Sequence, residues 1–184
     1  MIYLHVGLPK TYTTSLQLHA LNKITKCLNI DYFYFGQKNN DLYDLNNFFN
    51  ENKNINSKKF DNFPINKIKK DILISNENLS TVDNLHTTKN IYESIKILEK
   101  YFNNKTKIIL TIRNPIKYIN SIYNECYKEG NIIKKKDFIE NYFQLQYFSY
   151  SKIIENYRLH YDEVVVFKVD SENFIENLLN HFNI

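Results

Sequence analysis

The stretch Lys107-Ile108-Ile109-Leu110-Thr111-Ile112 is apolar at nearly every position. A strand with one wet face alternates apolar and polar residues. A strand without that alternation is covered on both faces, as in a parallel sheet packed between helices. Shorter runs of the same kind recur at Ile2–Val6, Asp31–Phe35 (closed by Gly36), Asp71–Ser75 and Glu163–Val169. Between them lie longer stretches with apolar residues at three- and four-residue steps. From Thr13 to Leu28, the positions Leu16, Ala20, Leu21, Ile24 and Leu28 mark one face of a helix. The same spacing predicts a helix over Lys89–Phe102 with Thr87 or Thr88 as its N-cap, and another from Pro115 to Lys128. A long helix is expected from Asp137 to His160, and a last one from Ser171 to Phe182 with Ser171 as its cap. Within Asp41–Asn66 a helix is expected near Leu42–Phe49, followed by loop.

Strands alternating with helices make βαβ units. The expected fold is α/β in three layers: a mainly parallel central sheet of roughly 4–5 strands with helices on both faces. With 184 residues and no repeat or linker, residues 1–184 read as a single domain. Composition removes several alternatives. Hydrophobic residues at 43% and aromatics at 15% exclude a disordered chain. Three Gly and three Pro exclude collagen-like and linker-like sequences. Cys27 and Cys126 are too few and too far apart for a secreted disulfide framework or a metal cluster, and no signal peptide or membrane-spanning run is present. The expectation is a soluble, cytoplasmic protein. A net charge of +4 suits an anionic small molecule better than a nucleic-acid groove. The run Lys134-Lys135-Lys136 reads as solvated surface.

In parallel α/β sheets ligands bind beyond the carboxyl ends of the strands. Three such places carry useful polar residues. After the first strand comes Gly7-Leu8-Pro9-Lys10-Thr11-Tyr12-Thr13-Thr14-Ser15, leading into a helix. Such a loop directs backbone N–H groups at an anion, with hydroxyl donors and the Lys10 charge beside them. It is not a Walker A sequence, in which Gly-Lys-Ser/Thr closes the motif. After the fourth strand come Arg113-Asn114-Pro115 and, eight residues beyond Arg113, Ser121. Arg at a strand end offers a planar fork suited to phosphate. After the Asp71–Ser75 strand comes Asn76-Glu77-Asn78, with His86 nine residues beyond Glu77. His5 and His19 read as structural.

The first two motifs together resemble those of sulfotransferases that use 3′-phosphoadenosine 5′-phosphosulfate (PAPS). Leu8-Pro9-Lys10-Thr11-Tyr12-Thr13-Thr14 is similar to that family's Pro-Lys-Thr/Ser-Gly-Thr-Thr loop, and Arg113 with Ser121 to its second signature. Val164–Phe167 and Phe174–Ile184 look like its closing segment, while Asn39–Lys70 is unmatched. The resemblance implies a P-loop-NTPase-like architecture. It implies that Lys10, Thr11, Thr13 and Thr14, with Tyr12 and Ser15 in the same loop, hold the 5′-phosphosulfate, and that Arg113 and Ser121 hold the 3′-phosphate. It also implies sulfuryl transfer from PAPS to a hydroxyl or amine, releasing adenosine 3′,5′-bisphosphate (PAP) without a metal. Lys10 would neutralise charge on the leaving group, and Glu77, or alternatively His86, would be the general base. The acceptor is expected to be a small molecule or carbohydrate, met by the Tyr- and Asn-rich stretches Tyr32–Lys70 and Tyr127–Tyr150. Tyr12 departs from the family, which has Gly there for φ > 0 or close backbone approach to phosphate. The competing readings are a nucleotide-binding relative without catalysis and a P-loop kinase-like phosphotransferase.

Overall fold

The computed structural model describes residues 1–8, 15–34, 70–76, 79, 88–102, 105–128, 130, 133–142 and 149–184. Among these, β1 (Ile2–His5), β2 (Asp31–Tyr34), β3 (Ile72–Ser75), β4 (Lys107–Ile112) and β5 (Glu163–Lys168) form one sheet in the order β2-β3-β1-β4-β5. All four pairings are parallel: Ile2 lies opposite Ile72, Asp31 opposite Ile72, Tyr3 opposite Lys107, and Lys107 opposite Glu163. The sheet is therefore wholly parallel, with the short β1 at its centre.

The helices are α1, a π-helical segment Leu16–Leu21 continuing as α-helix Asn22–Leu28; α2 (Thr88–Tyr101); α3 (Pro115–Lys128); α4, a turn Lys135–Asp137 running into π-helical Phe138–Tyr142; α5 (Tyr150–His160); and α6 (Phe174–His181). The two-residue period of the strands distributes them between two cores. Ile72, Ile74, Ile108 and Leu110 point to one face and pack with Ile95 and Leu98 of α2, Ile119 and Ile122 of α3, and Ile153 and Tyr157 of α5. Leu73, Ile109 and Phe167 point to the other and pack with Leu21 and Ile24 of α1 and Phe174 and Leu178 of α6. This is the expected three-layer arrangement, and it explains the missing polar alternation in β3 and β4.

Several local expectations are corrected. The single helix over Asp137–His160 is interrupted: α5 starts afresh at Tyr150 after Ser149, whose backbone is extended and whose hydroxyl accepts the Lys152 N–H. A capping serine favours a helix start over a helix interior. Ser171 does not cap α6. Its hydroxyl donates to the Lys168 carbonyl at 2.7 Å, closing a turn after β5, and α6 begins at Phe174 after Asn173. Thr88 is the first residue of α2 rather than its cap, and Thr87 lies outside the described residues, as does Leu42–Phe49. No helix among the described residues is long and apolar enough to cross a membrane.

Candidate active site

The chain leaves β1 and β4 toward opposite faces of the sheet, to α1 on one and α3 on the other. Adjacent parallel strands whose connections diverge leave a crevice at their carboxyl ends. The two connections start side by side. The ladder extends past β1, with the Val6 N–H donating to the Ile109 carbonyl (3.0 Å) and the Leu8 N–H to the Thr111 carbonyl (3.3 Å). Leu8 opens into residues 9–14, and Thr111 stands two positions before Arg113. The segments leading to Lys10 and to Arg113 are thus neighbours, far apart in sequence. Lys10, Thr11, Tyr12, Thr13, Thr14, Glu77 and His86 themselves lie outside the described residues.

Beyond β4, Asn114 caps α3. Its Oδ1 accepts the N–H groups of Ile116 (3.0 Å) and Lys117 (3.3 Å), and Pro115 occupies the first helical position, where a missing N–H costs nothing. The Asn114 N–H donates in turn to Asp170 Oδ2 at 2.6 Å. Asp170 Oδ1 lies 3.6 Å from Arg113 Nε and 3.5 Å from Lys117 Nζ. Asp170 follows β5, so its carboxylate ties the ends of β4 and β5 together. Burial pushes this carboxyl up, but the Asn114 N–H and the charges of Lys117 and Arg113 outweigh it and hold it below the usual carboxylate range.

A groove of about 670 Å³ opens beside this cluster. Leu16 and Ala20 of α1, Val169, and Phe174 and Leu179 of α6 give it apolar walls, while Ser15, His19, Lys23, Lys117 and Asp170 supply its polar edge. That size and mixture suit a small-molecule site. Ser15, expected in the anion loop, does line the groove; Arg113, with Nε 3.6 Å from Asp170 Oδ1, and half-buried Ser121 on α3 are not among the lining residues. His19, read from sequence as structural, is exposed and lines the groove.

Two features escaped the sequence reading. Asp170 carried no local signal beyond being an acid after a strand. The second is a buried polar cluster joining the carboxyl ends of β1, β3 and β4. His5 is fully buried, with Nδ1 2.6 Å from Ser75 Oγ and Nε2 3.2 Å from Thr111 Oγ1. Gln17 Nε2, from the first turn of α1, donates to the Ser75 carbonyl (3.1 Å) and to Ser75 Oγ (3.0 Å). Tyr32 of β2 donates its hydroxyl to the Gln17 carbonyl at 2.9 Å. Burial lowers the His5 pKa to about 3, so the ring is neutral. The sequence places His5 in or beside a buried strand, as found, but gives no sign of the extent of its hydrogen bonding.

Among the described residues no group of three or more His, Cys, Asp or Glu is placed to hold a metal. In sequence, the chain matches no protein-family model and no curated protein. In structure, it is similar to a sulfotransferase from Alicyclobacillus acidocaldarius, with a TM-score of 0.54 and 12% identity over 99% of this chain and 80% of that one. The likeness shows a shared fold: this chain has a sulfotransferase-like α/β fold built on a parallel five-stranded sheet.

Proposed function

We propose that this chain is a single-domain (1–184), cytoplasmic sulfotransferase that moves a sulfuryl group from PAPS to a hydroxyl or amine of a small-molecule or carbohydrate acceptor, leaving PAP. The observation that carries the reading is the Leu8–Thr111 backbone pairing, which makes the segments leading to Lys10 and Arg113 neighbours on the carboxyl edge of the sheet. The donor set beside it fits an anionic, aromatic ligand: apolar walls for a ring, and Lys23 and Lys117 at the edge for phosphate. The sulfotransferase-like fold supports the same reading.

PAPS supplies the activated sulfuryl group and a good leaving group. The protein's own contribution is positioning and charge, as in loose phosphoryl transfer. Thr11, Thr13, Thr14 and Ser15 hold the 5′ end with backbone and hydroxyl donors, and Lys10 neutralises the charge that grows on the bridging oxygen. Arg113, oriented by Asp170, and Ser121 hold the 3′-phosphate. Glu77, or His86 in its place, takes the acceptor's proton. No step requires a metal. Tyr12, where the related loops carry Gly, favours a second reading in which the nucleotide binds without turnover.

Labelled PAPS incubated with panels of phenols, amines and oligosaccharides in the presence of a chelator tests the reading. Transfer is expected to at least one class, and Lys10→Ala should reduce it by ~100- to 1000-fold. Glu77→Gln should abolish transfer while keeping PAP binding; the same phenotype in His86→Ala instead would move the base to His86. Nucleotide binding with no transfer to any class would favour the second reading.

A further inference from the structure

Three chain segments bear the proposed chemistry: residues 9–14, Asn76–Glu77 and Arg113. All three issue from strands joined by one imidazole. His5 reaches Ser75 of β3 through Nδ1 and Thr111 of β4 through Nε2. Its backbone carbonyl accepts the N–H of Asn76, the residue before Glu77, at 3.2 Å. Gly7, two residues along the same chain, lies so close to the ring that no side chain fits between them. A Cβ built on Gly7 would stand 3.1 Å from His5 Nε2 and 2.6 Å from Thr111 Oγ1. The ring and the backbone at Gly7 are therefore closely packed where the chain leaves β1.

One bond has a fixed sense: the Gln17 amide donates to Ser75 Oγ, while the neutral His5 ring gives one proton and accepts one across its contacts with Ser75 and Thr111. Gln17 also carries the link to the first turn of α1, directly after the loop, so the loop is tied on both sides to the same cluster. A purely structural buried histidine needs partners, but it does not need them from both strands flanking its own, one of them held in turn by Gln17 of the helix that follows the loop.

We propose that His5 is a positioning residue for the 5′-phosphate end of the nucleotide, acting through Ser75, Thr111 and Gln17 to set the chain on either side of residues 9–14. The inference rests on the nucleotide-binding reading given above. Wild type, His5→Phe and His5→Gln are titrated calorimetrically with PAP and with adenosine 3′-monophosphate, which lacks the 5′-phosphate, while melting curves report folding. Wild type should prefer PAP by at least about tenfold, the scale of a charged hydrogen-bond set. His5→Phe should shrink that preference to under about threefold and keep its affinity for the 3′-monophosphate. His5→Gln, whose amide both donates and accepts, should recover part of the preference.

Where His5→Phe does not fold, the isosteric Thr111→Val removes the Nε2 partner and should also reduce the preference. In wild type, the ring nitrogen resonances of His5 should show a neutral ring in one tautomer across pH 5–8, and should move on adding PAP but not on adding the 3′-monophosphate. An unchanged PAP preference in the folded variants, or resonances indifferent to PAP, overturns this inference alone. A wild type that binds neither nucleotide overturns the nucleotide reading, and this inference with it.

Discussion

On the face of the sheet covered by α2, α3 and α5, the core is large and almost wholly apolar, and its buried hydroxyls are incidental. Tyr157 and Tyr161 are buried there, and their hydroxyls meet no hydrogen-bond partner among the described residues. On the face covered by α1 and α6 the apolar cluster is smaller, yet His5, Ser75, Gln17 and Thr111 are buried against it in mutual hydrogen bonds. Burying an imidazole and an amide costs free energy unless each polar atom is paired. The first face uses tyrosine as bulk; the second places polar groups where three strand ends must be held in register. The groove opens on the second face, along α1 and α6. The larger apolar cluster lies on one side of the sheet and the groove on the other.

Substitutions that remove bulk from the first face should have the largest effect on folding and little on binding. Leu98→Ala, at a fully buried position in the large cluster, is expected to cost about 2–5 kcal/mol in urea denaturation and to leave PAP affinity of the folded fraction unchanged. Parallel losses of stability and affinity would show that the two faces are not separable. Gly7→Ala tests the second face by overpacking. The added Cβ meets Thr111 and His5, which should cost about 1–3 kcal/mol and weaken PAP binding disproportionately. Destabilisation without loss of affinity would leave the polar cluster a role in folding alone.

Acid titration sharpens the comparison at the groove. Asp170 is held below the ordinary carboxylate range, whose unfolded value is near ~3.9. Its contribution to stability is therefore present above that value and lost as pH falls through the lower folded one. Melting temperatures measured from neutral pH downward should fall less steeply in Asp170→Asn than in wild type; identical acid limbs would mean that the Asp170 cluster adds nothing to stability. The smallest effect is expected for Tyr157→Phe. Removing a buried hydroxyl that has no hydrogen-bond partner among the described residues should change stability by less than about 1 kcal/mol, in either direction. A larger loss would show that this hydroxyl is paired and that the contrast between the faces is weaker than drawn.

The layers were legible in the sequence because burial on both faces erases polar alternation, as in Lys107–Ile112, and because helical spacing is strong over Pro115–Lys128. The interruption before Tyr150 was not legible. The apolar spacing continues through it, whereas Ser149 is extended and caps a new helix. The π-helical start of α1 likewise has no periodic signature, since a wider turn over Leu16–Leu21 buries nearly the same residues as an α-turn. At the site, Arg113 and the chain leading to Lys10 were placed together by motif spacing, and the strand order makes their flanking residues neighbours. Asp170 and the His5 cluster were illegible for a common reason. Each acts through partners 50 or more positions away, such as Asn114 for Asp170 and Ser75 for His5, and long-range pairing of that kind leaves no local pattern.

The central claim is that the carboxyl edge between β1 and β4 grips an adenine nucleotide phosphorylated at both ends of its ribose. Calorimetric titration of the intact chain with PAP in chelator, against ATP with Mg²⁺, tests it most directly. The account predicts metal-independent PAP binding well above that of ATP–Mg²⁺, lost when Lys10 and Arg113 are both replaced by Ala. A preference for ATP–Mg²⁺, or PAP binding indifferent to both substitutions, would contradict it.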